Sequence, residues 1–98
     1  MSKTSAKSTP PPTPRTKDDV LRILREDNPS RQLAPKIAIY ADAFLEYQAA
    51  QANIDEHGAV VFHPRTGAPI DNPFIRVRNA ASKLMLQMRV NAARLWAP

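Results

Sequence analysis

Apolar residues recur at helical spacing in three stretches of this chain, separated by short polar and proline-containing breaks. In residues 18–27, Val20, Leu21, Ile23 and Leu24 make one apolar face. Thr16 and Asp19 resemble a capping box with Asp in place of Glu, and Asn28-Pro29-Ser30 ends the helix. In residues 35–57, Ile37, Tyr40, Phe44, Tyr47 and Ile54 follow spacings of three and four, with Gln51 in the gap. Pro35 suits the first turn, and Gly58 suits the position after the last, where a positive φ is needed. Ala41, Ala49, Ala50 and Ala52 permit close helix approach, while Lys36, Asp42, Glu46, Asp55 and Glu56 form the polar side. The third stripe runs through Phe74, Val77, Ala81, Leu84, Met88 and Leu95, a heptad pattern broken only at Asn91. Asn72 before Pro73 reads as an N-cap with a first-turn proline. Asn91 is either a polar seam position in one continuous helix or the cap of a separate last turn, and the pattern leaves both open.

Between the second and third stripes lies a hairpin pattern. Val60, Val61 and Phe62 are strand formers, and Pro64-Arg65-Thr66-Gly67 is turn chemistry. The predicted fold is mainly α: a short N-terminal helix plus two long antiparallel helices joined by a small β-hairpin. Residues 1–17, rich in Ser, Thr, Lys and Pro, cannot bury apolar surface and are expected to be a disordered basic arm. Residues 18–98 are then expected to form one small helical domain.

Charge sharpens this picture. The net charge of +5 is unevenly placed. The arm carries Lys3, Lys7, Arg15 and Lys17 and no acid; residues 18–57 carry a net −4, and residues 58–98 a net +5. Basic ends flanking an acidic middle suit an anionic partner, nucleic acid before membrane. Arg76 and Lys83 are seven apart and share a helix face; Arg78 and Arg89 are eleven apart and share another. With Arg94, these bases and those of the arm are the candidate phosphate contacts.

Catalytic chemistry is not expected. The chain has no cysteine, two histidines and two glycines, so thiolate catalysis and a phosphate-cradling glycine loop are excluded. His57 and His63 have no zinc-like spacing to acids, and Asp55 and Glu56 are adjacent, so they point apart on a helix. No metal or cofactor is expected. The N-terminus lacks the apolar core of a secretory signal, and no apolar run is long enough to span a bilayer. A core of about 80 residues supplies only a few kcal/mol. Tyr40, Phe44, Tyr47, Phe74, Val77, Leu84, Met88 and Leu95 are therefore candidates for oligomer contacts, unless the two stripes simply bury each other.

The run from Tyr40 to Leu95 resembles the P27 family of phage terminase small subunits. The matching pieces, in order, are the aromatic helix (Tyr40, Phe44, Tyr47), Gly58, a short extended segment, Asn72-Pro73 and the Leu84–Met88 pair. The stretch Met88-Arg89-Val90-Asn91-Ala92-Ala93-Arg94 closes the series, with Arg89 and Ala92 standing where the family usually has Gly and Pro or Ser. The resemblance implies a non-enzymatic DNA-recognition ring that presents viral DNA to the large terminase subunit, in the cytoplasm of the infected host. The chain ends two residues after Trp96, which leads to the expectation of a reduced docking segment for that subunit.

Two other readings stand beside this one. A helix-turn-helix repressor would use residues 18–27, the link 28–34 and residues 35–57, although Asp42 and Glu46 stand where bases are wanted. A structural adaptor would use the basic arm on an acidic protein surface.

Overall fold

The computed structural model describes residues 14–97. Helix α1 spans Lys17–Asp27 and starts where Thr16 Oγ1 accepts a hydrogen bond from Asp19 N at 3.2 Å. Arg15, Thr16 and Lys17, assigned on sequence to the arm, thus belong to the folded unit. Arg15 N donates to Gln48 Oε1 at 3.0 Å, and Gln48 Nε2 donates back to Arg15 O at 3.1 Å. A 3₁₀ turn at Arg31–Leu33, capped by Ser30, leads into the long helix α2, Ala34–His57, with Pro35 in its first turn. Gly58 ends it at φ 88, a backbone state that glycine adopts freely.

Strands β1 (Val60–Phe62) and β2 (Pro69–Asp71) pair antiparallel, with Val60 opposite Asp71, Val61 opposite Ile70 and Phe62 opposite Pro69. The turn closes through Gly67, at φ 72, whose N donates to His63 O at 2.8 Å. His63 Nδ1 accepts from Arg65 N at 3.1 Å, so this imidazole serves the turn. Helix α3 (Phe74–Gln87) then packs along α2, and a last turn, α4, spans Ala93–Trp96.

The core gathers Val20, Ile23 and Leu24 from α1 with Ile37, Tyr40, Ala41 and Phe44 from α2. Ala81 and Met85 from α3, and Ala92 and Leu95 from the C-terminal segment, complete it. Ala41 and Ala50 are fully buried, as close helix packing requires; Ala49 and Ala52 are exposed. The expected α3 stripe faces inward only in part. Ala81 and Met85 face the core, whereas Phe74, Val77 and Leu84 are 38–40% exposed. The apolar surface of α3 is wider than α2 can cover, and small Ala81 at the contact lets α3 settle with Phe74, Val77 and Leu84 on its flank.

Two buried asparagines join the elements. Asn72 is 2% exposed. Its Oδ1 accepts from Phe74 N at 2.9 Å, which is the expected N-cap. Its Nδ2 donates to Asn53 Oδ1 on α2 and to Gly58 O, both at 3.0 Å. One amide therefore ties the end of α2, the hairpin base and the start of α3. Asn28 is 6% exposed and exchanges two bonds with the backbone of Asn91: Nδ2 to Asn91 O and Asn91 N to Oδ1, each 2.8 Å.

The exchange between Asn28 and Asn91 sets the path of the chain after α3. A backbone that pairs with Asn28 is not free for helix, so the chain is extended from Met88 (φ −94, ψ 138). Asn91 Oδ1 then accepts from Ala93 N at 3.3 Å, just ahead of α4, whose N-cap position is Ala92. Of the two sequence alternatives, the separate last turn is the one adopted. Because the chain leaves the helix at Met88, Arg89 does not share a helix face with Arg78, contrary to the eleven-residue spacing argument.

Replacing Asn72 with Ala is expected to cost about 2–4 kcal/mol, a lost cap plus buried partners left unpaired. Asn72→Asp keeps the cap acceptor but loses both donors. It is expected to recover little of that stability in urea unfolding; full recovery would show that the bonds to Asn53 and Gly58 contribute nothing.

Candidate assembly and nucleic-acid interface

The C-terminal turn is held by charge and by aromatic packing. Arg94 Nη2 donates to Glu26 Oε1 at 2.6 Å and Arg94 Nε to Asp27 Oδ2 at 3.2 Å, with a longer bond from Nη2 to Ile23 O at 3.4 Å. The Arg94 hydrogen bond holds the Glu26 carboxyl below its ordinary range, while Glu26 raises the Arg94 guanidinium above its own. Trp96 Nε1 donates to Tyr40 Oη at 2.8 Å, and the indole stands edge-on to Phe44 and Tyr47, with ring centroids 4.8 and 5.4 Å away. Edge-to-face geometry of this kind adds to the area buried.

The candidate phosphate contacts separate into groups. Lys3 and Lys7 lie outside the described residues. Arg15, Lys17, Arg78 and Arg94 are engaged within the chain. Lys17 pairs with Asp42 at 3.8 Å, and Arg78 reaches Gln51 Oε1 at 3.4 Å and Asn79 Oδ1 at 3.2 Å. Arg15 is bound to Gln48 and also donates to Ala97 O at 3.5 Å. Arg94 is the clamp on α1, which takes it away from the outer basic surface. Arg76 and Lys83, on one face of α3, and Arg89 beyond it are exposed, with no ion pair among the described residues. Arg65, at the hairpin tip, is an exposed cation that the spacing argument passed over because it stands alone in its turn.

The candidate assembly residues also divide. Tyr40, Phe44 and Leu95 are 5%, 5% and 2% exposed, so they sit in the chain's own core and are not available to a neighbour. Tyr47 and Met88 pack partly against that core. Phe74, Val77 and Leu84 remain open. Sequence reasoning missed the exposure of Val60, Phe62, Leu86 and Trp96. The residue types that mark Val60, Val61 and Phe62 as strand formers say nothing about whether any element lies over that strand. Among the described residues no group of His, Asp or Glu is placed to hold a metal ion, and no helix is long and apolar enough to cross a membrane.

A model of the phage terminase small subunit family matches residues 18–92. The chain belongs to the phage terminase small subunit family. No curated protein and no solved structure gives a match. The matched stretch takes in almost all of α1, then α2, the hairpin, α3 and the extended segment held by Asn28. Membership of the small subunit family assigns this chain to phage packaging. The Arg94 clamp and Trp96 lie beyond the stretch matched, on the turn that closes this small subunit's core.

Arg94→Ala is expected to lower the melting temperature at neutral pH. Glu26 has its carboxyl lowered in the folded state, so its contribution is present above the ordinary glutamate range and is lost as pH falls through the lowered value. The gap between wild type and Arg94→Ala should therefore narrow on acidification below that range; a gap independent of pH would mean that the clamp acts only by packing.

Proposed function

We propose that this chain is the DNA-recognition subunit of a phage packaging machine, acting without catalysis of its own. Copies assemble into a ring, bind double-stranded viral DNA and present it to the large terminase subunit in the cytoplasm of the infected host. Family membership over residues 18–92 is the observation that carries this reading. Two features of the surface support it. Arg76, Lys83 and Arg89 stand exposed without acidic partners among the described residues, as sequence-independent phosphate contacts require. Phe74, Val77, Leu84 and Leu86 leave apolar area on and beside α3 that a neighbouring copy can cover.

The repressor reading gains nothing from the structure. The helix that would enter a groove carries Asp42 and Glu46 on its exposed side, and Asp42 is occupied with Lys17. The observed geometry likewise adds no support for a DNA-independent adaptor.

Binding to duplex DNA should weaken steeply as salt rises. Replacing Arg76 or Lys83 with Ala is expected to reduce the slope of log affinity against log salt by about one each, uniformly across DNA sequences. Removing residues 1–13, which contain Lys3 and Lys7, should flatten it further. Affinity that does not respond to salt, or no retardation of DNA at all, would sink the DNA claim.

A further inference from the structure

Two apolar surfaces have no cover among the described residues. One is convex. Val60, Phe62 and Pro69 share one face of the hairpin, because strand residues two apart point the same way and Pro69 is the partner of Phe62. Val60 is 54% and Phe62 70% exposed. A lone two-stranded hairpin is marginal in water, and this one carries its apolar side chains outward. The other surface is concave. A cleft of about 1160 Å³ has Phe44, Tyr47 and Trp96 among its lining, with Asp19, Asp55 and Glu56 alongside them. The indole N–H of Trp96 is already satisfied by Tyr40, so what the 45%-exposed Trp96 offers is ring surface.

The charges match as well. The three carboxylates of the cleft outweigh its one cation, Arg15, which is itself bound to Gln48 and Ala97. The hairpin carries Arg65 at its tip, and its one acid, Asp71, stands at the opposite end, at the base beside Val60. Among the described residues none from the hairpin lines the cleft, so the two surfaces do not meet within one chain.

We propose that the hairpin of one copy seats in the cleft of the next, with Phe62 against the rings of Tyr47 and Trp96 and Arg65 facing Asp55 and Glu56. This rests on the assembly reading above and names its contact. The contact is heterologous: it joins different surfaces, each copy offers one of each, and repetition gives a ring when the rotation closes.

Native mass spectrometry of full-length variants tests it. Phe62→Asp changes an exposed side chain and should fold, as should the double variant Asp55→Lys/Glu56→Lys; circular dichroism checks both. Each is expected to be monomeric. Mixed in equal amounts they retain one good hairpin and one good cleft between them, so a 1:1 heterodimer and nothing larger is expected. An oligomeric wild type with Phe62→Asp assembling to the same mass overturns the contact, and so does a mixture that stays monomeric. Assembly that survives both variants but is lost on removal of residues 1–13 assigns the cleft to the arm instead. A monomeric wild type overturns the assembly reading itself.

Discussion

A side-chain amide buried without partners is expensive, so wherever one is buried the surrounding chain must arrange itself to meet it. Asn72 imposes this most strongly. Its three side-chain bonds reach Asn53, Gly58 and Phe74, and its own N–H reaches Ala59 O. These partners belong to α2, the turn after it, the hairpin base and α3. The angle at which α3 returns along α2, and hence which side of α3 meets the core, follows from satisfying that one residue. Asn28 does the same for α1 and the C-terminal segment. No buried side-chain polar atom among the described residues lacks a partner. In so small a core, this is what singles out one arrangement of helices that could otherwise slide.

Local signals in the sequence are legible because they act locally. The Thr16 cap, Pro35, the positive φ of Gly58 and Gly67, and Asn72 before Pro73 each set their own few residues, and each is found in its expected role. The hairpin turn is legible for the same reason. Periodicity does not supply the width of contact between elements. It points to a row of Phe74, Val77, Ala81 and Leu84 as the inner face of α3, yet of these only Ala81 is buried, and its companion at the contact is Met85, outside the row. The end of α3 is illegible because it is set from 63 positions away, by Asn28 on Asn91. Net charge along a segment groups Arg94 with the free bases, because it does not reveal that Glu26 and Asp27 lie across from it.

This sorting changes what the net charge means. Several of the cations that make the chain basic are used to hold it together, and the acidic stretch supplies their partners: Asp42 for Lys17, Glu26 for Arg22 and Arg94. Exposed pairs of this sort contribute little each. The remainder among the described residues, Arg25, Arg31, Lys36, Arg65, Arg76, Lys83 and Arg89, is a smaller set than composition suggests, and four of its members lie in the second half of the chain. Such a set suits weak, register-free contact with a phosphate backbone, repeated over many copies, better than tight reading of bases by one copy.

The segment after α3 makes contacts with the first half of the chain across 56 to 82 positions. Leu95 fills the core between α1 and α2, Asn91 meets Asn28, and Ala97 meets Arg15. Bringing such distant segments together costs loop entropy before it yields any contact. During synthesis, therefore, α1 and α2 emerge with their shared core unfinished and stay so until the turn that carries Leu95 has left the ribosome. A nascent chain stalled short of Leu95 displays the apolar faces that the finished chain conceals.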